Sequence, residues 1–288
     1  MEIAAPRRPW TLHLAAGWWL AAPFALLAIP TAVSLSRQDW SRDFGAYGPI
    51  VLATGAWLLW RQIPEFRQNA VQGAGWITWP LLAIAAALYI FGRAYDFVTL
   101  ETAGVYGVGL AILNHKVGPR ALLASWFPLL YLAFVIPIPG SFLADVTAPL
   151  KEFVSYVATG VLAHVGVPVV REGVTLYVAQ YQLLVEDACS GMNSIVGLIA
   201  VGLLYIYLMR GASLAYSLVL VALVVPIAVL TNILRIMTLV LLTYFAGNDV
   251  AQGFLHFTAG MALFAIALVL VFALDTVLHR FFIPKAER

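Results

Sequence analysis

The chain has 288 residues, of which 62% are hydrophobic and only 10% are charged, with a formal net charge of +2. Soluble domains carry roughly 25% charged residues, and no soluble core can hide this much apolar surface. The composition therefore excludes a soluble globular protein, gives no support for nucleic-acid binding, and indicates an all-α polytopic membrane protein.

Eight hydrophobic segments are long enough to cross about 30 Å of hydrocarbon, which takes roughly 17 to 25 residues each. In chain order they are approximately 12–35, 44–60, 76–92, 97–113, 121–138, 190–209, 213–245 and 256–278. The first is too long and too rich in Trp for a removable signal peptide, so it is expected to be a retained helix. The seventh contains Pro226, which predicts a kink or a break.

The distribution of Lys and Arg predicts the orientation, because cytoplasmic loops collect these residues. Ten of the sixteen fall on one side of the threaded chain: Arg7, Arg8, Arg61, Arg67, Lys116, Arg120, Arg210, Arg280, Lys285 and Arg288. Both termini are then cytoplasmic. The loop over 139–188 and the starts of the sixth and eighth helices lie on the outer, periplasmic face.

The outer loop has two parts. Residues 141–166 place a few charges on an apolar pattern, which is typical of a helix at the membrane interface. Residues 167–178 are β-rich, with Arg-Glu-Gly as a turn, and predict a small hairpin on the periplasmic side whose edge is available to an extended peptide.

Cys189 is the single cysteine, and it lies where this loop meets the sixth helix. If Asp187 caps that helix, unpaired N–H groups and the helix dipole favour the thiolate of Cys189. Ser190 and Gly191 allow close approach of a substrate backbone, and Asn193 lies one turn further along the same face. The charge of Glu186 and Asp187 opposes ionisation of the thiol, so both need cationic partners. The interpretation as an inert, buried thiol remains the alternative.

Arg235 and His256 reach the same face of the membrane. Arg235 lies 22 residues beyond Ser213, or about 33 Å along a helix, near the outer edge of the hydrocarbon. Asn232 shares its helix face, and two polar groups on one face indicate a protein interior or a wet cavity rather than lipid. His256 begins the eighth helix at the outer boundary, although an ordinary interfacial histidine is the alternative.

These motifs together resemble the exosortases, bacterial relatives of the archaeosortases. The resemblance runs from about residue 39 to 272 and depends on Ala188-Cys189-Ser190-Gly191, Asn232-Ile233-Leu234-Arg235 and His256, with 166–169 and 171–173 as supporting pattern. It implies about eight membrane helices and a catalytic Cys189, Arg235 and His256. The chain departs from the family pattern at Asn193, where many relatives have Arg.

The resemblance also implies a substrate class. Exosortases process exported proteins that end in a sorting signal, typically containing Pro-Glu-Pro, followed by a membrane helix and a basic tail, in Gram-negative bacteria that make exopolysaccharide. The expected partners are such proteins, membrane lipids and a glycan or lipid acceptor. One membrane-embedded domain over 1–288 is expected, with its catalytic part at 121–278.

The residue chemistry agrees with thiol acyl transfer and requires no cofactor. A thiolate attacks a carbonyl, a histidine moves protons, and an arginine binds the oxyanion. The sequence contains no phosphate-binding loop, no redox cysteine pair and no metal-ligand cluster. Two alternatives stay open: a multi-pass transporter that uses Arg235 as an anion site, and a non-catalytic assembly protein for envelope or exopolysaccharide export.

We predict that a small, membrane-impermeant methanethiosulfonate labels Cys189 when it is added to intact spheroplasts. The reason is the odd number of crossings that precede Cys189 from a cytoplasmic N-terminus. Labelling is read by mass spectrometry, with Cys189→Ser as the blank. Labelling that requires access from the cytoplasmic face would overturn this topology.

Overall fold

The computed structural model describes residues 18–41, 47–71, 73–184, 193–210, 214–247 and 254–282, and these are mostly helical. The chain divides into two compact units, Met1–Ile138 and Pro139–Arg288. The catalytic part at 121–278 and the single domain over 1–288 stay predictions. Each unit is described by itself.

The first unit is built of helices alone among its described residues. In chain order they are α1 (Trp18–Gln38), α2 (Gly48–Arg61), α3 (Ile63–Asn69), α4 (Gly75–Ala94), α5 (Val98–Ala124) and α6 (Trp126–Ala133). Helices α4 and α5 pack closely because α5 presents glycines to α4. A Cβ added at Gly104 would lie 2.5 Å from the backbone nitrogen of Tyr89, and one at Gly107 would lie 2.8 Å from the Cβ of Ala85. Small residues of this kind let membrane helices approach each other.

A buried carboxylate joins three of these helices. Glu101, in the first turn of α5, is 1% exposed. Its Oε1 accepts hydrogen bonds from Thr31 of α1 at 2.8 Å and from Arg93 of α4 at 3.1 Å. Arg93 also donates to Ser34 of α1 at 2.8 Å. Because removal of one partner leaves a charge buried without compensation, this network specifies one arrangement of the three helices.

Helix α5 contains a break that the preceding loop covers. Gly118 has φ 77° and ψ 168°, and Pro119 has no N–H to donate to the carbonyl of His115. The backbone passes beside this point at Val71 and Gly73. Val71 N–H donates to Val117 O at 3.0 Å, and a Cβ added at Gly73 would lie 2.5 Å from His115 O.

The predicted fifth segment, 121–138, is not one helix. Helix α5 ends at Ala124, Ser125 is non-helical, and α6 ends at Ala133. The physical reason is Pro128, which has no N–H for the carbonyl of Ala124 and whose ring collides with that carbonyl in a continuous helix. Pro128 instead occupies the first turn of α6, where a missing donor costs little.

The second unit combines four helices with a small sheet among its described residues. Its elements are α7 (Gly140–His164), β1 (Val169–Glu172), β2 (Thr175–Val178), β3 (Tyr181–Leu184), α8 (Asn193–Arg210), α9 (Leu214–Ala246) and α10 (Phe254–Phe282). The region expected to form a hairpin has three antiparallel strands in the order β1-β2-β3. Glu172 pairs with Thr175 and Val178 pairs with Tyr181, so both connections are two-residue loops. Gly173 (φ 60°) and Ala179 (φ 52°) supply the positive φ that such loops require.

Helix α9 lies at the centre of this unit, between two apolar clusters. The sheet cluster joins α7, the sheet and α9 through Val154, Ala158, Leu162, Val167, Val169, Leu176, Val178, Leu183, Ile236 and Val240. The helix cluster joins α8, α9 and α10 through Leu198, Ile206, Val224, Ala228, Ala267 and Val271. Pro226, for which a kink or a break was predicted, lies inside one continuous helix, so α9 is not broken there. Neighbouring helices pack directly on both sides of Pro226, at Val224 and Ala228, and support the helix there.

The helices agree with a membrane protein. Three of the described helices contain stretches long and apolar enough to cross a bilayer: Trp19–Gln38, Gly75–Ala94 and Ala222–Ala246. Gly197–Leu208 and Ala265–Leu278 are shorter apolar stretches. Large apolar side chains such as Leu26, Trp76 and Phe245 are at least 74% exposed, as expected for lipid-facing positions. The full set of eight spans stays a prediction.

We predict that Gly104→Ala destabilises the protein while Gly109→Ala, on the same helix, does not. Alanine raises helix propensity at both positions by about 1 kcal/mol. At Gly104 the new Cβ collides with the backbone of Tyr89, which cannot move aside, and overpacking of this kind costs about 1–3 kcal/mol. At Gly109 the nearest atom is Phe24 Cε2 at 3.5 Å, an ordinary contact. Melting temperatures in detergent measure the difference, and equal shifts for both variants would contradict the close packing of α4 and α5.

Candidate active site

Two polar residues are buried on one face of α9. Asn232 is 3% exposed and Arg235 is 9% exposed, and they lie one helical turn apart. At 100° per residue, Ala228 and Asn232 stand about 20° and 60° around the helix from Arg235, and Ile236 about 100°. Ile236 faces the sheet cluster and Ala228 the helix cluster. Viewed down the axis, Asn232 therefore lies between the directions of Ala228 and Ile236, and Arg235 lies in nearly the same direction as Ala228, two turns further along α9. Both polar residues face the inside of the unit rather than lipid.

The start of α8 lies at the same level along the helix axes as Asn232 and Arg235. Leu198 of α8 and Ala228 of α9 belong to the same cluster, and the short connection between these packed helices makes them antiparallel. Asn193 lies five residues before Leu198, about 7.5 Å along the axis. Asn232 and Arg235 lie four and seven residues beyond Ala228, about 6 and 10.5 Å in the same direction.

The start of α10 lies toward the C-terminal end of α9, because the two helices pack together and a short connection joins them. Ala267 of α10 is in the helix cluster with Ala228. His256 is eleven residues before Ala267, about 16.5 Å along α10 toward that end.

The other predicted site residues lie outside the described residues. These are Glu186, Asp187, Cys189 and Ser190; Asn193 and His256 are placed by their helices alone. Covalent geometry still limits the position of the cysteine. Cys189 is four residues before Asn193, a stretch of chain that spans at most about 14 Å.

The sheet covers the C-terminal end of α9. Leu176, Val178 and Leu183 pack with Ile236 and Val240 in the sheet cluster. At the end of α9, a Cβ added at Gly247 would lie 3.8 Å from the hydroxyl of Tyr181. Strand β3 thus runs over the end of α9 that carries Arg235, and the chain continues from it toward Cys189.

One buried cation of this unit was not predicted from the sequence. Lys151 of α7 is 9% exposed, and it shares the buried face of that helix with Thr147 and Ser155. The signal was present as three polar residues at i, i+4 and i+8 on an otherwise apolar helix face. The charges of this segment had instead been assigned to a membrane interface.

No metal centre is found in the part of the chain that the structure describes, where no group of three or more His, Cys, Asp or Glu side chains is placed to hold an ion. The absence of a cofactor stays a prediction, because Asp187 and Cys189 are not in that part.

Comparison with known proteins decides the family. The family model of transmembrane exosortases matches residues 40–273, most of the chain and every candidate site residue. The protein belongs to the transmembrane exosortase family. This confirms the resemblance drawn from the motifs and identifies, at the family level, a membrane protein related to transpeptidases that sort exported proteins with C-terminal signals. No curated protein and no solved structure gives a significant match.

We predict that a cysteine introduced at position 235 cross-links to Cys189 through a short bis-methanethiosulfonate. The wild-type chain has one cysteine, so Arg235→Cys creates a single possible pair. Leu218→Cys is the control, because it lies 17 residues earlier on the same helix, about 25 Å deeper. Mass spectrometry of proteolytic fragments detects the linked peptides. Equal cross-linking of both variants, or of Leu218→Cys alone, would contradict the placement of Cys189 beside Arg235.

Proposed function

We propose that this exosortase is a cysteine transpeptidase or protease of the bacterial inner membrane. It cleaves the C-terminal sorting signal of exported proteins at the periplasmic face, through a thioacyl-enzyme. The signal is of the Pro-Glu-Pro type, followed by a membrane helix and a basic tail. Cys189 is the nucleophile, His256 the general acid and base, and Arg235 the oxyanion-binding group.

The observation that carries this proposal is the burial of Arg235 with Asn232 on α9, in a chain that belongs to the exosortases. An arginine that served only to anchor a helix in lipid head groups would extend into solvent. A buried guanidinium instead offers rigid, charged donors in a low-dielectric site, where an oxyanion is stabilised most strongly. The level of Asn193 at the start of α8 and the position of His256 in the first turn of α10 support the same site.

The first half of the reaction forms a thioester. His256 takes the proton from the Cys189 thiol, and the thiolate attacks the scissile carbonyl carbon, so that a C–S bond forms and the carbonyl oxygen becomes an oxyanion. N–H groups of Arg235 donate to that oxyanion. The intermediate collapses with cleavage of the C–N bond, and the leaving amine takes its proton from His256. The substrate's membrane tail departs.

The second half restores the enzyme. A nucleophile gives its proton to His256 and attacks the thioester carbonyl, and the C–S bond breaks to release the Cys189 thiolate. Water as nucleophile gives hydrolysis, and an acceptor amine or hydroxyl gives a product attached to a glycan or lipid. Mass spectrometry of the new C-terminus of a processed substrate distinguishes these outcomes.

Asn232 has a supporting role in this scheme. Its amide lies one turn from Arg235, close enough on the helix surface to orient the guanidinium or to hydrogen-bond the substrate backbone. Ser190 and Asn193 flank the nucleophile, and Glu186 and Asp187 balance the positive charge of the site.

We expect Cys189→Ala to abolish processing of a co-expressed substrate, because the nucleophile is lost while little packing volume changes. The variant should still insert into the membrane and retain uncleaved substrate. Substrate length on a gel measures processing, and co-purification measures retention. A transporter or an assembly protein would tolerate the change, so normal processing by Cys189→Ala would reject the proposed enzyme.

We also expect Arg235→Lys to lower the processing rate by about a hundredfold or more, the usual effect of losing an oxyanion-hole donor. Lysine keeps the charge but not the forked, planar geometry. Arg67→Lys is the matched control, because Arg67 is exposed on α3. If Arg235→Lys processes substrate as fast as the control, Arg235 does not bind the oxyanion.

A further inference from the structure

The small sheet of the second unit has two edges, and their surroundings differ. Strand β1 forms the edge beside α7. The guanidinium carbon of Arg171 lies 5.7 Å from the centre of the Tyr156 ring, and its Nη1 lies 3.9 Å from Oε1 of Glu152. Strand β2 is in the middle, and β3 forms the other edge. Within the part of the chain that the structure describes, no main-chain group pairs with the far side of β3.

The register of the sheet determines which main-chain groups of β3 point to that far side. Val178 and Tyr181 flank a two-residue loop, and residues in this position bond each other through the main chain. In an antiparallel ladder every second residue of a strand bonds a given neighbour, and the residues between direct their N–H and C=O groups the other way. Tyr181 and Leu183 therefore bond β2. The N–H and C=O groups of Gln182 and Leu184 point outward, and these four groups form the β3 edge.

The β3 edge lacks the features that usually prevent one sheet from pairing with another chain. Edge strands commonly carry charged residues, proline or a bulge, because an open row of N–H and C=O groups attracts other strands. Strand β1 contains Arg171 and Glu172. Strand β3, Tyr181–Leu184, contains no charged residue and no proline, and it pairs with β2 residue for residue without a bulge. Such an edge is suited to accept an extended peptide.

The direction of β3 brings this edge toward the candidate site. The hydroxyl of Tyr181 lies near Gly247, at the C-terminal end of α9. Leu183 packs in the sheet cluster with Ile236, which is eleven residues before Gly247 on the same helix. Strand β3 therefore runs back along α9, toward the turn of the helix that contains Arg235.

We propose that the β3 edge binds the substrate as an added strand, through main-chain hydrogen bonds from Gln182 and Leu184 to the peptide beside the scissile bond. The inference rests on the proposed function, which makes this peptide the substrate of Cys189. Leu184 is five residues before Cys189, a stretch that spans at most about 17 Å. A peptide on the edge therefore extends to the nucleophile within a few residues. Main-chain pairing selects the extended shape of a substrate and leaves its side chains to other contacts.

An added strand predicts a pattern in the substrate that recognition of side chains does not produce. Alternate residues of such a strand direct their N–H groups to the sheet, and the residues between direct them away. Proline has no N–H and is tolerated in a strand only where that group is not needed for pairing. Proline at every second substrate position should therefore weaken binding, and proline at the positions between should not.

The first test changes the enzyme at one main-chain group. Gln182→Pro removes an N–H of the β3 edge and leaves the bonds between β3 and β2 intact. Gln182→Ala is the matched control, because it removes the same exposed side chain and keeps the N–H. We expect Gln182→Pro to process a co-expressed reporter about threefold to tenfold more slowly than Gln182→Ala, the range for one lost hydrogen bond. Retention of uncleaved reporter by the Cys189→Ala protein should fall by the same factor.

The second test changes the substrate and leaves the wild-type enzyme intact, so it decides the question even if Gln182→Pro melts early in detergent. Mass spectrometry first locates the bond that is cut in the reporter. Proline and alanine are then placed in turn at successive positions on both sides of that bond. We expect the ratio of the alanine rate to the proline rate to rise and fall with a period of two residues. A ratio without this alternation would show that the substrate does not bind as a strand.

A second copy of the chain is the other possible occupant of the β3 edge. In that case the wild-type protein would be a dimer in detergent, and Gln182→Pro would dissociate it while processing continued at the rate of Gln182→Ala. This result would reject the proposal.

The outcomes also separate the proposal from the proposed function. Processing that persists in Cys189→Ala would reject the cysteine mechanism. Processing that is lost in Cys189→Ala, with equal rates for the two Gln182 variants and no alternation in the reporter, would reject only the pairing with β3.

Discussion

The second unit depends on keeping a guanidinium away from lipid in the C-terminal half of a long apolar helix. Arg235 is buried rather than exposed, and Asn232 is buried one turn away on the same helix. A charge in such a position requires neighbours that exclude hydrocarbon while leaving room for polar partners. The sheet and α7 pack against α9 through one apolar cluster, and α8 and α10 pack against it through the other. The two clusters together keep this part of α9 inside the unit.

Much of the helical framework was predictable because the apolar segments are long and their polar boundaries are sharp. Helix α10 begins within two residues of the predicted segment that starts at His256, and α4 within one residue of the segment that starts at Trp76. The errors fall at prolines, where hydropathy gives no guidance. Pro128 divides a segment that was expected to be continuous, whereas Pro226, where a kink or a break was expected, lies inside an unbroken helix. The two prolines differ in their surroundings. Neighbouring helices pack beside Pro226 and support α9 there, whereas Pro128 lies in the first turn of a new helix, where its missing N–H costs little.

The candidate site was predictable to a different extent. Arg235 and Asn232 share a face by their spacing alone, so their common burial could be expected before the structure was known. The buried position of Lys151 could not, because its polar helix face fits a membrane interface as well as a protein interior. Only the packing of α7 against α9 shows that this face lies in the protein interior. The third strand was also missed. Tyr181–Leu184 is as long as β1 and β2, but its connection to β2 is Ala179-Gln180, which lacks the glycine that marks the first turn.

The break in α5 has a consequence for engineering the first unit. Gly118 and Pro119 leave carbonyl oxygens of the helix without their usual partners, and the chain at Val71 and Gly73 lies against that gap. A side chain at position 73 would push the loop away from the helix. The two stretches pack as one unit although about forty residues of sequence separate them. A chimaera between relatives should therefore exchange 70–74 and 114–119 together, and pairs of relatives are expected to differ at both or at neither.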